Sequence, residues 1–187
     1  MSRSKGNVVN PDSIVEMYGA DTLRIYEMFL GPFDQAVSWN TESIIGSRRF
    51  IERVWKISEK ISSDKKSEKI ESAINKAIKK VSSDIEEMRF NTAISEMMIL
   101  VNEMDKEETI PRNLFEDFIK VLSPFAPHVA EEIWGQLGNK NSVNIETWPK
   151  YDENKIIKSE LIIAIQVNGK VKAEISVEEN ADEETIK

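Results

Sequence analysis

Between residues 70 and 88, Ile70, Ile74, Ala77, Ile78, Val81, Ile85 and Met88 recur at intervals of three and four. That spacing puts them on one face of an α-helix. A helix with one apolar face gains most of its stability by burying that face against a neighbour. The chain supplies several. Phe50, Val54, Ile57 and Ile61 repeat at i, i+4, i+7 and i+11, and Ile94, Met97, Met98, Val101 and Met104 follow the same period. Leu114, Phe115, Phe118, Ile119 and Leu122 make a further stripe, and Val129, Ile133, Trp134 and Leu137 another. The expected fold is therefore mainly α, a bundle of amphipathic helices.

Local punctuation sets the expected boundaries. Asn10 is placed as an N-cap, with Pro11 at the first helical position, Asp12 in the first turn, and Ile14, Val15 and Met17 as the apolar part. Gly19 ends that helix. Asp21 then caps a second one carrying Leu23, Ile25, Tyr26, Phe29 and Leu30, which Gly31-Pro32 stops. A longer helix is expected from Asn40 to about Ile61, followed by a polar loop through Ser67. Asn91 is read as the cap of the next helix but one, residues 105–108 as an acidic turn, and Pro111 as part of the following first turn. With Ser123 as N-cap, Pro124 takes N1 and Pro127 N4, so neither proline breaks an intrahelical bond. Gly135 and Gly138 mark that helix's end. After Trp148-Pro149 the period changes: Leu161 to Val167 is β-rich, Asn168-Gly169 is a hairpin signal, and Lys170 to Val177 alternates. The tail is acidic and can start a helix at Asp182.

Composition removes several function classes. The absence of cysteine excludes disulfides, thiol nucleophiles and thiolate metal sites, and a single His rules out an ordinary zinc site. No apolar run approaches the roughly 20 residues of a membrane span, and no signal-peptide pattern is present. No membrane partner is expected, and the default compartment is the cytoplasm. The formal charge of −8 argues against coating nucleic acid indiscriminately. Residues 1–60, however, hold eight Lys/Arg against eight Asp/Glu, so the whole excess lies in the rest of the chain. Within the neutral part, Arg49, Arg53, Lys56 and Lys60 repeat one residue ahead of the apolar stripe, about 100° round the helix, and Arg48 adjoins them. A basic stripe thus lies beside a buried one. His128 reads as structural, Met97, Met98 and Met104 as core filler, and Trp39, Trp55, Trp134 and Trp148 as packing anchors.

Several segments in order carry a family resemblance. Residues 1–7, MSRSKGN, read as the tail of the K-M-S-K-S signature of class I aminoacyl-tRNA synthetases, without its leading Lys and with Arg3 at the second Lys position. The stretch from Met1 to Leu30 resembles the region after that signature in leucyl-tRNA synthetases of bacterial type. Residues 31–55, GPFDQAVSWNTESIIGSRRFIERVW, resemble the entry to their anticodon-binding bundle. FNTAISEMMILVNEM and LSPFAPHVAEEIW resemble its later helices, and IQVNGKVKAEISV resembles the first hairpin of their C-terminal domain.

The resemblance implies three parts: a loop and stem-contact segment over 1–39, an anticodon-binding helical bundle over 40–149, and, over 150–187, a linker with a partial hairpin of an α+β C-terminal domain. It also implies the parent's chemistry, activation of leucine with ATP and Mg²⁺ followed by transfer to tRNA(Leu), by an enzyme expected to be monomeric. Ser2, Arg3, Ser4 and Lys5 are the expected ATP-contacting residues. Arg3 is the expected catalytic one, stabilising charge on the departing pyrophosphate. Arg can grip phosphate with a fork, where Lys presents a point charge. The Rossmann core, the H-I-G-H-type motif and the editing domain are not in this sequence, so the chain is expected to be inactive alone, to bind no cofactor tightly, and to act with the remainder of the synthetase chain. Arg24, Arg48, Arg49, Arg53 and Lys56 are the expected tRNA-phosphate contacts, joined by Lys170 and Lys172 on the hairpin. A stand-alone helical RNA-binding module and a protein-interaction module are the alternatives.

Overall fold

The computed structural model describes residues 8–62 and 66–157, together with the backbone of strands 160–167 and 170–178. Seven α-helices lie in the described residues. They are α1 (Pro11–Tyr18), α2 (Ala20–Phe29), α3 (Ile44–Ser58), α4 (Glu68–Glu86), α5 (Phe90–Asp105), α6 (Arg112–Leu122) and α7 (Pro127–Gln136). Two-residue strands β1 (Ile61–Ser62) and β2 (Ile110–Pro111) pair in parallel, and β3 (Glu160–Val167) pairs antiparallel with β4 (Lys170–Glu178). Two compact units result, residues 1–155 and 156–187.

Helix α4 starts where Ser67 accepts a hydrogen bond from the Ile70 N–H, with Glu68 and Glu71 in the favourable first turn. Ile70, Ile74, Ala77, Ile78 and Val81 are buried and Ile85 packs at the edge. Met88, expected on the same face, is 52% exposed instead. It occupies the left-handed position after the helix, with φ 58°. The Met88 N–H reaches the Ile85 carbonyl and the Arg89 N–H the Asp84 carbonyl, a Schellman ending without its usual glycine. Helix α5 begins directly afterwards, so Asn91 lies inside its first turn and is not its cap.

The first two helices meet at Gly19, which closes α1 by donating to the Val15 carbonyl and opens α2. Its φ of 89° suits glycine. Asn10 caps α1 as expected, but only Ile14 of the three apolar candidates is buried; Val15 and Met17 face solvent. Asn40 caps a 3-10 turn, Thr41–Ser43, ahead of α3. That helix stops at Ser58, short of Ile61, which enters β1 opposite Ile110 of β2.

The turn between α6 and α7 differs from the local reading. Ser123 closes α6, donating to the Lys120 carbonyl, and Pro127 sits at N1 of α7 behind Ala126. Ala126 has no side chain to cap with. Asp21 supplies the cap from α2: its carboxylate accepts from the Val129 N–H at 2.8 Å and lies 2.7 Å from His128 Nδ1. Asp21 therefore caps α7 and not its own helix. A non-local partner has taken the role that a Ser at position 123 would otherwise fill.

Helices α2 to α7 contribute to one large core, in which Phe115, Phe118, Phe125, Ile94 and Met97 are wholly or almost wholly buried. A smaller cluster of Ile14, Leu23, Tyr26 and Ile44 joins α1, α2 and α3. Each fully buried large apolar side chain contributes about 1.5–3 kcal/mol relative to exposure. In the second unit the register runs from Glu160↔Glu178 to Ile165↔Ala173, then shifts to Gln166↔Val171. Lys172 is left unopposed, a β-bulge in a strand read as strictly alternating. The Asn168-Gly169 turn and the helix expected at Asp182 lie outside the described residues.

Candidate nucleic-acid interface

Helix α3 buries Phe50, Val54 and Ile57, which forces the basic row beside them toward the rim and solvent. The row then divides. Arg53 Nη1 donates to Asn102 Oδ1 at 2.6 Å and its Nη2 lies 3.3 Å from Asp105 Oδ2. Lys60 Nζ donates to the Asp105 and Glu107 carbonyls and to Asp105 Oδ1. These contacts satisfy carbonyls at the end of α5, where a cation is electrostatically favoured. The Lys60 hydrogen bond, reinforced by Lys60 and Arg53 charge against the effect of burial, holds the Asp105 carboxyl below its ordinary range. Arg53 and Lys60 thus fasten α3 to α5.

Arg48 pairs with Glu52 at 2.8 Å and donates to the Tyr18 carbonyl at 3.1 Å, closing the end of α1. Arg24 donates to the Pro124 and Phe125 carbonyls, at 2.7 and 3.3 Å. Together with Asp21, one turn earlier on α2, it grips both sides of the α6–α7 turn. Arg49 and Lys56 differ from the other four. Both are exposed, and neither has an ion-pair or hydrogen-bond partner among the described residues. Seven residues apart, they project from one face of α3 about 10 Å from each other along its axis. Ser2, Arg3, Ser4 and Lys5 lie outside the described residues. Lys170 and Lys172 lie on β4, where only the backbone is described.

The tryptophans anchor through their indole N–H groups: Trp39 to Thr41, Trp134 to the Asn141 carbonyl and Trp148 to Ser82. Trp55 is 37% exposed on α3. Among the described residues of the first unit, two clefts stand out. One, of about 430 Å³, is lined by Phe33, Asp34, Glu87, Met88 and Arg89 among others. The other, of about 300 Å³, lies where α2, α3 and α5 meet, at Phe29, Leu30, Ser43, Gly46, Ser47 and Met98. No periodic signal marks either, because each joins segments distant in sequence. Among the described residues no group of three or more His, Asp or Glu could hold a metal ion. No helix among them is long and apolar enough to cross a membrane.

The fold is a helical-bundle module with one cationic helix face left open. The family model for the anticodon-binding domain of tRNA ligase matches residues 67–187, and the chain belongs to that family. Residues 1–66, which include α3, lie outside that match, but a structural likeness takes them in. The chain is similar over 100% of its length to the agnB2 LeuRS of Agrobacterium radiobacter K84, solved as a ternary complex with tRNA and LeuAMS. The TM-score is 0.77 and the identity 27%. The chain spans 27% of that protein's length.

Proposed function

We propose that this chain is the C-terminal, tRNA-binding portion of a leucine–tRNA ligase acting in the cytoplasm. The parent enzyme activates leucine with ATP, with Mg²⁺ as its expected companion, and transfers the leucyl group to tRNA(Leu). The portion here holds the body of the tRNA while chemistry proceeds elsewhere in the synthetase chain, which is taken to be monomeric. One observation carries the reading: Arg49 and Lys56 are exposed and uncommitted in a fold similar throughout to a synthetase bound to tRNA. Phosphate contacts of this kind position an RNA without reading its sequence. Arg24, Arg48 and Arg53 support the surface from behind, since their charges already meet protein oxygens. Residues 2–5 keep their proposed place at the ATP phosphates of the parent, with Arg3 as the catalytic cation. Lys170 and Lys172 are proposed as further tRNA contacts.

The test is a titration of the 187-residue chain with a tRNA(Leu) transcript and with a transcript for another amino acid. Binding of the leucine transcript at low ionic strength is expected. A chain that is folded by circular dichroism yet binds neither transcript would remove the tRNA-holding role and favour the protein-interaction alternative.

A further inference from the structure

We propose that the cleft at the junction of α2, α3 and α5 receives one unpaired ribonucleotide of the bound RNA. The inference rests on the tRNA-binding reading and adds a subsite to it. The cleft, about 300 Å³, falls at the small end of the range of pockets that enclose organic ligands, about 300–1,000 Å³. Phe29, Leu30 and Met98 line it with apolar surface, and Phe29 is 39% exposed. An unstacked base presents a π-face to such a wall regardless of its identity.

The polar side of the cleft carries the argument further. Ser47 is only 2% exposed, yet its hydroxyl has no hydrogen-bond partner among the described residues. Ser47 has no buried unsatisfied atom, so this unpartnered hydroxyl keeps its small accessible surface at the cleft it lines, where a ligand can hydrogen-bond to it. Ser43, one turn earlier and at the same cleft, likewise makes no capping bond. A hydroxyl both donates and accepts, which suits a ribose 2′-OH or a base edge. Gly46 lies between them, and a Cβ built there would meet nothing within 4 Å. The position is open, and packing does not require a glycine there. Arg49, one of the two free cations on α3, stands three residues along from Gly46, a same-face neighbour able to take the flanking phosphate.

Charge separates this cleft from the larger one. The larger is rimmed by Asp34 and Glu87, with Arg89 already paired to Glu87 and Asp84. Carboxylates there oppose a polyanion. The α2–α3–α5 cleft has no carboxylate among its lining residues.

The experiment uses Gly46→Leu and Ser47→Ala in the full chain, with folding checked by circular dichroism and thermal melting. Gly46→Leu fills the cleft from a position with free space and better helix propensity, so the fold is expected to survive. Its tRNA affinity is expected to fall on the order of tenfold, the scale of a lost stacked base, with the salt dependence unchanged. Ser47→Ala leaves the shape intact and is expected to weaken binding severalfold, as loss of one hydrogen bond does. Base-reactivity footprinting of the tRNA should show one unpaired nucleotide protected by the wild-type chain and exposed again with Gly46→Leu. Wild-type affinity and an unchanged footprint in the two folded variants would overturn the subsite while leaving tRNA binding standing. If the wild-type chain bound no tRNA, both would fall.

Discussion

At the scale of single residues, the α4–α5 turn concentrates most of the unusual chemistry. Asp84 is fully buried, and burial on its own would raise its pKa. Hydrogen bonds from Lys80, Thr92 and Arg89 reverse that, so its carboxyl titrates below the ordinary value of 3.8. A depressed carboxyl contributes stability that is complete above its unfolded pKa. That contribution fades as pH falls from about 3.8 through the lower folded value. Asp84→Asn is expected to lower stability near neutrality by about 1–3 kcal/mol. It should also flatten the acid limb below that pH. Denaturant melts of both proteins across the acid range test this, and parallel acid limbs would exclude Asp84 as a contributor. At Met88 the expectation has the opposite sign. Its φ of 58° places a Cβ-bearing residue where glycine is at ease. Met88→Gly is expected to raise the midpoint of urea unfolding, by about 1 kcal/mol in stability. A lowered midpoint would mean that its exposed side chain contributes packing.

At the scale of elements, α3 has two jobs split along one stripe. Arg53 and Lys60 are committed to the end of α5, whereas Arg49 and Lys56 are not. Arg53→Ala is accordingly expected to reduce stability by about 1 kcal/mol, the loss of a half-exposed ion pair and hydrogen bond. Its effect on RNA affinity should be small. Paired thermal melts and tRNA titrations check the split, and an affinity loss matching that of Arg49→Ala would erase it.

The division also shows what the sequence conveys. The helical stripes are legible because burial imposes a 3.6-residue period, and Ile70, Ile74 and Val81 obey it locally. Asn10, Pro11 and Ser67 act through neighbours two or three residues away, and their roles are equally local. Asp105 is 45 residues from Lys60, and Asp21 is 107 from His128. Nothing in a local window says that the first spends half the basic stripe or that the second caps α7. The Ile61↔Ile110 pairing and the α2–α3–α5 cleft are hidden for the same reason. The end of α4 is hidden for a different, local reason: a Schellman turn with Met88 in place of the usual glycine overrode the apolar period.

At the scale of the whole molecule, the proposed function has an acidic chain hold a polyanion. Placement makes the two compatible: the first 60 residues are neutral overall, and two of their cations stand free on one helix. The alternatives do without that placement. A protein-interaction module assigns no particular role to cations spaced two turns apart, and a stand-alone RNA module does not require a likeness running the length of the chain to part of a LeuRS. Packing supports treating α1 and α2 as part of the bundle. Asp21, Arg24 and Tyr26 tie α2 to the α6–α7 turn and to Asn40, so this segment and the bundle are held in one unit.

The most direct test of that placement is the salt dependence of tRNA(Leu) binding, measured for the wild-type chain and for the double variant Arg49→Ala, Lys56→Ala. Each phosphate contact releases counterions, so the logarithm of the wild-type affinity should fall linearly with the logarithm of salt concentration. The double variant's slope should be shallower by about two. Equal slopes and equal affinities for the two folded proteins would contradict the claim that this face of α3 holds the RNA.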